Sequence, residues 1–296
     1  MVVNKEILAE AAALKTLFKE GDDQRDANLP TQIPEVERFD DITYGPKEKW
    51  HLLDVYLPKK RHGKVPTIIN IHGGGYVYAT KETYQFFGLS LAKAGFAFVN
   101  FNYQLAPEIQ FPGELDDVNL AMHWVATHGA EYDLDLDNVF IVGDSAGGQM
   151  AMQYLTILTN ADFRAKFGYE QPGFTVRAAA INCGLSFIDR PGTLTGAPQA
   201  YFTDDVLANK ADMLTTEQYM TTDLPPLFLT TANQDFIRDS TVRLDGFLLA
   251  KGINHEFHSY GTPEDPKGHV FNYAIKDTVA QECNQTMLTF FRNHLA

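Results

Sequence analysis

The spacing of apolar and polar positions changes near residue 65. Before it, Ile7, Leu8, Ala11, Leu14 and Phe18 recur at intervals of three and four. That spacing predicts an amphipathic helix over residues 4–20, ended by Gly21. A polar stretch with Pro30 and Pro34 follows. Residues 36–44 and 50–57 read as two strands joined by a turn around Gly45-Pro46. In the second, Leu53, Val55 and Leu57 alternate with polar or amphipathic neighbours, as in a half-buried antiparallel strand. Beyond residue 65 short apolar runs take over: Thr67 to Ile71, Phe96 to Phe101, Val139 to Val142, Ala178 to Ile181 and Leu227 to Thr231. Helical stretches near 82–94, 114–129, 146–160 and 239–251 separate them. This alternation predicts an α/β fold, a mostly parallel twisted sheet with helices on both faces. A strand near 254–260 and a helix near 278–294 close it. Residues 186–222 break the alternation with turn formers and short helices, and an insertion of that length is usually functional.

Composition narrows the class. A chain of 296 residues can bury a large core, and 45% hydrophobic with 21% charged residues is ordinary for a globular protein. The net charge of −14 disfavours nucleic acid and anionic membrane surfaces as partners. It weakly favours neutral substrates. Cys183 and Cys283 are too few for a disulfide framework and read as reduced thiols. No run reaches the ~18 apolar residues of a membrane span. Lys5 and Glu6 stand where a signal peptide would need an apolar core. The expectation is a cytoplasmic chain without membrane insertion.

The most informative stretch is Phe140-Ile-Val-Gly-Asp-Ser-Ala-Gly-Gly148. A buried strand runs into Gly143-Asp144-Ser145-Ala146-Gly147, and a helix follows. This is G-x-S-x-G in the strand–turn–helix context that projects a serine hydroxyl above a sheet. The helix beginning beneath Ser145 aims its first amides at a developing oxyanion. A second glycine-rich turn, Asn70-Ile-His-Gly-Gly-Gly-Tyr76, follows another buried strand. It lacks the Gly-Lys-Ser/Thr of a phosphate loop and fits an oxyanion loop.

These two motifs together resemble the bacterial hormone-sensitive-lipase-like esterases of the α/β-hydrolase fold. Asn102-Tyr-Gln-Leu-Ala-Pro-Glu-Ile-Gln-Phe-Pro112 is similar to that family's Tyr-Arg-Leu-Ala-Pro-Glu…Phe-Pro segment, with Gln104 in place of arginine. The resemblance covers residues 66–149 closely. A looser resemblance links His51-Leu-Leu-Asp-Val-Tyr-Leu-Pro58 to carbohydrate acetyl esterases, feruloyl esterases and arylformamidases. The first resemblance implies that Gly74, Gly75 and Ala146 donate oxyanion amides, and that His72 holds the loop rather than moving protons.

In this fold the acid and the histidine follow the serine in that order. The resemblance carries the acid onto Asp235, where the family pattern Gly-x-x-Asp-x-Leu-x-Asp is altered at Asn233 and Ile237. Asp239 is the alternative and reads as a cap of the next helix. Of His255, His258, His269 and His294, the family's Gly-His-Gly-Phe matches Gly268-His-Val-Phe271 and selects His269. Ser145, Asp235 and His269 are therefore the expected catalytic residues. No metal or organic cofactor is expected.

The resemblance also implies a small helical cap. Residues 1–45 form a cap segment with the leading strand region, 186–222 the cap insertion, and 46–185 with 223–296 the hydrolase core. Tyr76, Tyr201, Phe202 and Phe271 are the expected substrate-binding aromatics, with Phe86 and Phe87 as further candidates. The leading reading is a serine carboxylesterase for small-molecule esters of short or medium acyl chain. The alternatives are a carbohydrate acetyl or feruloyl esterase, and a non-catalytic binding protein like the plant gibberellin receptors. The intact Ser, Asp and His argue against that last reading. The oligomeric state, a homodimer included, stays open.

Overall fold

The computed structural model describes residues 4–296. Its strands are β1 (Val36–Thr43), β2 (Leu52–Pro58), β3 (Val65–Ile71), β4 (Ala97–Phe101), β5 (Leu134–Asp144), β6 (Val176–Asn182), β7 (Leu227–Ala232) and β8 (His255–Tyr260). They form one sheet in the order β1-β2-β4-β3-β5-β6-β7-β8. The β1–β2 and β2–β4 pairs are antiparallel, and all later pairs are parallel. The expected α/β-hydrolase architecture is the one observed. Its cause is visible in burial: Ile68, Ile69, Val139 to Val142, Ala178 to Ile181 and Leu227 to Leu229 are fully buried, as strands covered by helices on both faces must be.

The helices are α1 (Lys5–Asp26), α2 (Gln85–Lys93), α3 (Gly113–His128), α4 (Ser145–Thr159), α5 (Ala161–Phe167), α6 (Asp204–Asn209), α7 (Ala211–Leu214), α8 (Thr216–Tyr219), α9 (Arg238–Lys251) and α10 (Thr278–Arg292). Among the described residues no helix is long and apolar enough to cross a membrane. Both cysteines are free and buried.

Three local expectations are corrected. Gly21 does not end α1, which runs on to Asp26. A helical glycine costs only about 1 kcal/mol relative to alanine. The extra turn is anchored: Arg25 pairs with Asp22 at 2.6 Å and with Asp26 at 2.5 Å, and reaches the Thr83 carbonyl. Strand β5 begins at Leu134 rather than Val139, because Leu134 and Asp135 pair with Val65 and Pro66 before a register shift. Helix α5 was not foreseen, although both its caps stand in the sequence. Asn160 accepts from the Phe163 amide, and Gly168 closes the helix at φ 69°.

The core holds one anomaly, Glu114 on α3. Its side chain is wholly buried, and neither carboxylate oxygen has a well-formed hydrogen bond among the described residues. Burial pushes this carboxyl well above the ordinary Glu range. A buried polar group without partners costs about 1–3 kcal/mol. Glu114→Met is therefore expected to raise the melting temperature. Because the folded-state pKa is raised, the wild type loses stability as pH climbs above the ordinary Glu value. The advantage of the variant should thus be larger at mildly alkaline than at mildly acidic pH. Thermal melts at the two pH values check this; an equal or lower melting temperature for the variant refutes it.

Candidate active site

The carboxyl ends of β3, β5, β6 and β7 meet along one edge of the sheet, where open α/β sheets bind ligands. Ser145 follows β5 directly at φ +50°, a strained conformation for a residue with a side chain, and α4 starts at the same residue. Gly147 must be glycine: an added Cβ would sit 2.1 Å from the Ile71 carbonyl and 2.4 Å from that of His72. The turn that carries Ser145 is packed directly onto the end of β3. The Ser145 carbonyl also accepts from the Leu185 amide at 3.1 Å, tying it to the exit of β6.

Asp235 lies just after β7 and His269 on the loop after β8. His269 Nδ1 is 2.7 Å from Asp235 Oδ1. The same carboxylate accepts from the Ile237 amide at 3.0 Å and from the Thr231 hydroxyl at 2.9 Å. Burial alone would raise the Asp235 pKa. The hydrogen bond and positive potential of His269, with these two donors, outweigh burial and hold it below the usual carboxylate range. The His269 Nε2 has no hydrogen-bond partner among the described residues, and His269 lines the same cavity as Ser145. Cys183, at the end of β6, places its thiol within 4.8 Å of both the Asp235 carboxylate and the His269 ring.

The glycine loop is sorted by its amides. That of Gly73 is engaged, donating to Asp144 Oδ1 at 3.0 Å and the Tyr84 hydroxyl at 2.9 Å. The amides of Gly74 and Gly75 have no partner among the described residues. Gly74 sits at φ +113°, open only to glycine. Ala146 is in the first turn of α4, where helix amides have no internal acceptor. His72 is buried and stacked on Tyr103 at 4.0 Å, its Nδ1 bonded to the Gly73 carbonyl at 2.8 Å. Burial pushes its pKa down to about 4, so the ring is neutral and holds the loop.

Two cavities open on either side of Ser145. One, of about 320 Å³, is lined by Gly74, Tyr78, His269, Phe271, Asp22 and Arg25. The other, of about 520 Å³, is mostly apolar and is lined by Leu14, Phe18, Gly75, Tyr76, Ala146 and Pro198 among others. Helix α1 forms a wall of both.

Residues 53–240 match the BD-FAE family model, more than half of the chain. The chain belongs to the BD-FAE family. Its likeness to hormone-sensitive-lipase-like esterases is supported by two relatives from Mycobacterium tuberculosis. The esterase LipI is 27% identical over 209 residues, 67% of this chain and 64% of LipI. The carboxylesterase NlhH is 26% identical over 272 residues, 86% of this chain and 81% of NlhH. The chain spans 37%, 64% and 59% of the lengths of the first curated relatives it matches. Among solved structures, esterase B of Lactobacillus rhamnosis, inhibited by a C6-C4 SN3 compound, superposes with a TM-score of 0.88 at 24% identity. That superposition covers 97% of this chain and 96% of esterase B. It establishes the fold.

Within this BD-FAE site the expected aromatics divide. Tyr76 and Phe271 lie on the cavity walls. Tyr201 and Phe202 do not. They are buried behind Tyr76, Tyr201 stacking on it at 5.2 Å and Phe202 meeting it edge-on at 4.9 Å. The Tyr201 hydroxyl is turned inward and accepts from the Glu114 amide. They pack against the Tyr76 ring and line neither cavity, because residues 186–222 fold them under it. Phe87 is a core residue, and Phe86 faces a separate cavity with Lys15 and Trp50. Asp239 is exposed in the first turn of α9 and caps nothing, since Ile237 occupies the N-cap. His255 pairs with Asp245, His258 with Glu256, and His294 with the Phe290 carbonyl.

Sequence reasoning missed Asp144. Its carboxylate accepts from Gly73, Tyr84 at 2.8 Å and Tyr273 at 3.2 Å, bracing the glycine loop against the Ser145 turn. Its place directly before the serine was the available signal. Phe236 was also missed. It is 69% exposed and lies 4.3 Å from the His269 ring, at the mouth of both cavities.

Proposed function

We propose that this chain is a serine carboxylesterase acting on small-molecule esters of short to medium acyl chain. The observation that carries the reading is the Asp235–His269 pair at 2.7 Å, with the free face of the imidazole on the cavity that also exposes Ser145. His269 takes the Ser145 proton as the hydroxyl attacks the ester carbonyl. Asp235 fixes the tautomer and stabilises the imidazolium. The amides of Gly74, Gly75 and Ala146 receive the oxyanion. His269 then gives its proton to the leaving alcohol, the alcohol departs, and a water activated by the same imidazole releases the acid.

The direction of that proton transfer orients the substrate. The leaving oxygen must face His269, so the alcohol occupies the cavity of about 320 Å³. The acyl chain occupies the larger apolar cavity beside Gly75 and Ala146. In this reading α1 and residues 186–222 act as the cap, with Tyr76 and Phe271 contacting substrate.

The test is initial-rate hydrolysis of p-nitrophenyl esters from acetate to decanoate, with methyl ferulate alongside, and stoichiometric labelling of Ser145 by a fluorophosphonate. Turnover with labelling supports the reading. Ferulate preferred over every simple ester moves it to phenolic esters. Neither turnover nor labelling overturns it in favour of a binding protein. The acyl assignment has its own check in Thr193, a half-buried wall residue of the larger cavity. Thr193→Trp is expected to lower kcat/KM for the longest accepted ester by about tenfold or more, relative to acetate. An unchanged chain-length profile refutes it.

A further inference from the structure

We infer that Cys183 is a positioning residue for the acid–base pair, its thiol joining the Asp235 carboxylate to the backbone just after His269. The inference rests on the esterase reading for its consequence, and on contacts for its basis.

The residue is held in a demanding place. Cys183 follows β6, is fully buried, and adopts φ +50°, a left-handed conformation uncommon for a residue with a side chain. Its amide donates to the Thr230 carbonyl of β7 at 2.7 Å, which fixes its backbone between two central strands. From there its Sγ accepts the Val270 amide at 3.4 Å. Val270 is itself left-handed at φ +49° and is joined to His269 by the peptide whose N–H makes this contact. Two strained residues are thus locked together through one sulfur.

The donor side is argued from the acceptors of Asp235. An ionised carboxylate offers about four acceptor positions. On Asp235 three are filled, by His269 Nδ1, the Ile237 amide and the Thr231 hydroxyl. The Cys183 Sγ lies within 4.8 Å of the same carboxylate, and in this inference its S–H is aimed at the fourth. Burial and the negative charge of Asp235 keep the thiol protonated, so it stays a donor and is no nucleophile. A thiol is both a weak donor and a weak acceptor, which is what this position asks for.

Serine keeps both functions on a shorter arm, and alanine keeps neither. The experiment compares Cys183→Ala and Cys183→Ser with wild type in the full chain. It reads three quantities: the rate of Ser145 labelling by a fluorophosphonate, the kcat and KM on the best ester, and the downfield proton resonance of the His269 Nδ1–H. Alanine is expected to slow labelling and kcat by about tenfold, the worth of one lost hydrogen bond, with KM little changed. The resonance should broaden or shift, and serine should recover most of each effect. The resonance needs no substrate, so it reports on Cys183 even where the ester reading fails. An alanine variant with wild-type labelling and an unmoved resonance overturns the inference. So does a serine variant no better than alanine. Should alanine fail to fold, the serine variant decides alone: a resonance and labelling rate identical to wild type at unchanged KM support the inference, and a resonance lost from a folded protein overturns it.

Discussion

His269→Ala is expected to lower kcat/KM on a p-nitrophenyl ester by about 10⁴ to 10⁶, and Ser145→Ala by a similar factor. The size follows from shared work. Without the imidazole the hydroxyl has no proton acceptor, and without the hydroxyl the imidazole has nothing to activate. The double variant should therefore be no slower than either single one, within about twofold, where independent contributions would multiply. Asp235→Asn should cost about 10⁴, because the amide presents an N–H to Nδ1 and selects the wrong tautomer. Asp239→Asn should change the rate by no more than about twofold, since that carboxylate is exposed and His269 is bonded to Asp235 instead. Initial rates for the five variants check all of this. A loss under tenfold for His269→Ala, or Asp239→Asn more damaging than Asp235→Asn, refutes the assignment of the acid and base.

The parts of this site that were legible in the sequence are those whose geometry is local. The parallel strands announced themselves because both faces are buried and their residues are continuously apolar. The turn that carries Ser145 was readable because the close approach of Gly147 to β3 leaves glycine as the sole option. The meeting of Asp235 with His269 was not local. Thirty-four positions separate them, and only the parallel pairing of β7 with β8 brings their loops together. The resemblance supplied what spacing could not. Tyr201 and Phe202 mislead for a related reason. An aromatic pair in an insertion looks like a substrate wall, and only the fold reveals that Tyr76 lies between it and the cavity. The end of α1 was misread because Gly21 is a local breaker, while the anchors that override it, Asp22, Arg25 and Asp26, act partly through a distant carbonyl at Thr83. Cys183 carried no motif at all; its role exists only where β6, Asp235 and the His269 loop converge.

Asp144→Ala is expected to be the most damaging change outside Ser145, Asp235 and His269, in both stability and rate. It would remove the carboxylate acceptor of the Tyr84 and Tyr273 hydroxyls, both buried, and one of the two acceptors of the Gly73 amide. Each unpaired group costs about 1–3 kcal/mol, enough to lower the melting temperature by many degrees. The freed glycine loop should misplace the oxyanion amides and lower kcat by about 10²–10³, the worth of one such donor. The pH dependence gives the sharper test. Burial pushes the Asp144 carboxyl up from 3.8 to about 6, against the hydrogen bonds of its three donors and the attraction of His269. A raised folded-state pKa means that its contribution to stability is full below 3.8 and is lost as pH rises through about 6. The rate should run the other way. The three donors bond an ionised carboxylate more strongly than a protonated one, so the loop is best held above about 6 and loosens as Asp144 takes up a proton below it. Asp144→Asn removes this titration. It should weaken the fall in rate below about 6 and flatten the opposing trend in melting temperature. Identical acid limbs for wild type and Asp144→Asn would show that this carboxylate braces the loop without titrating in the working range.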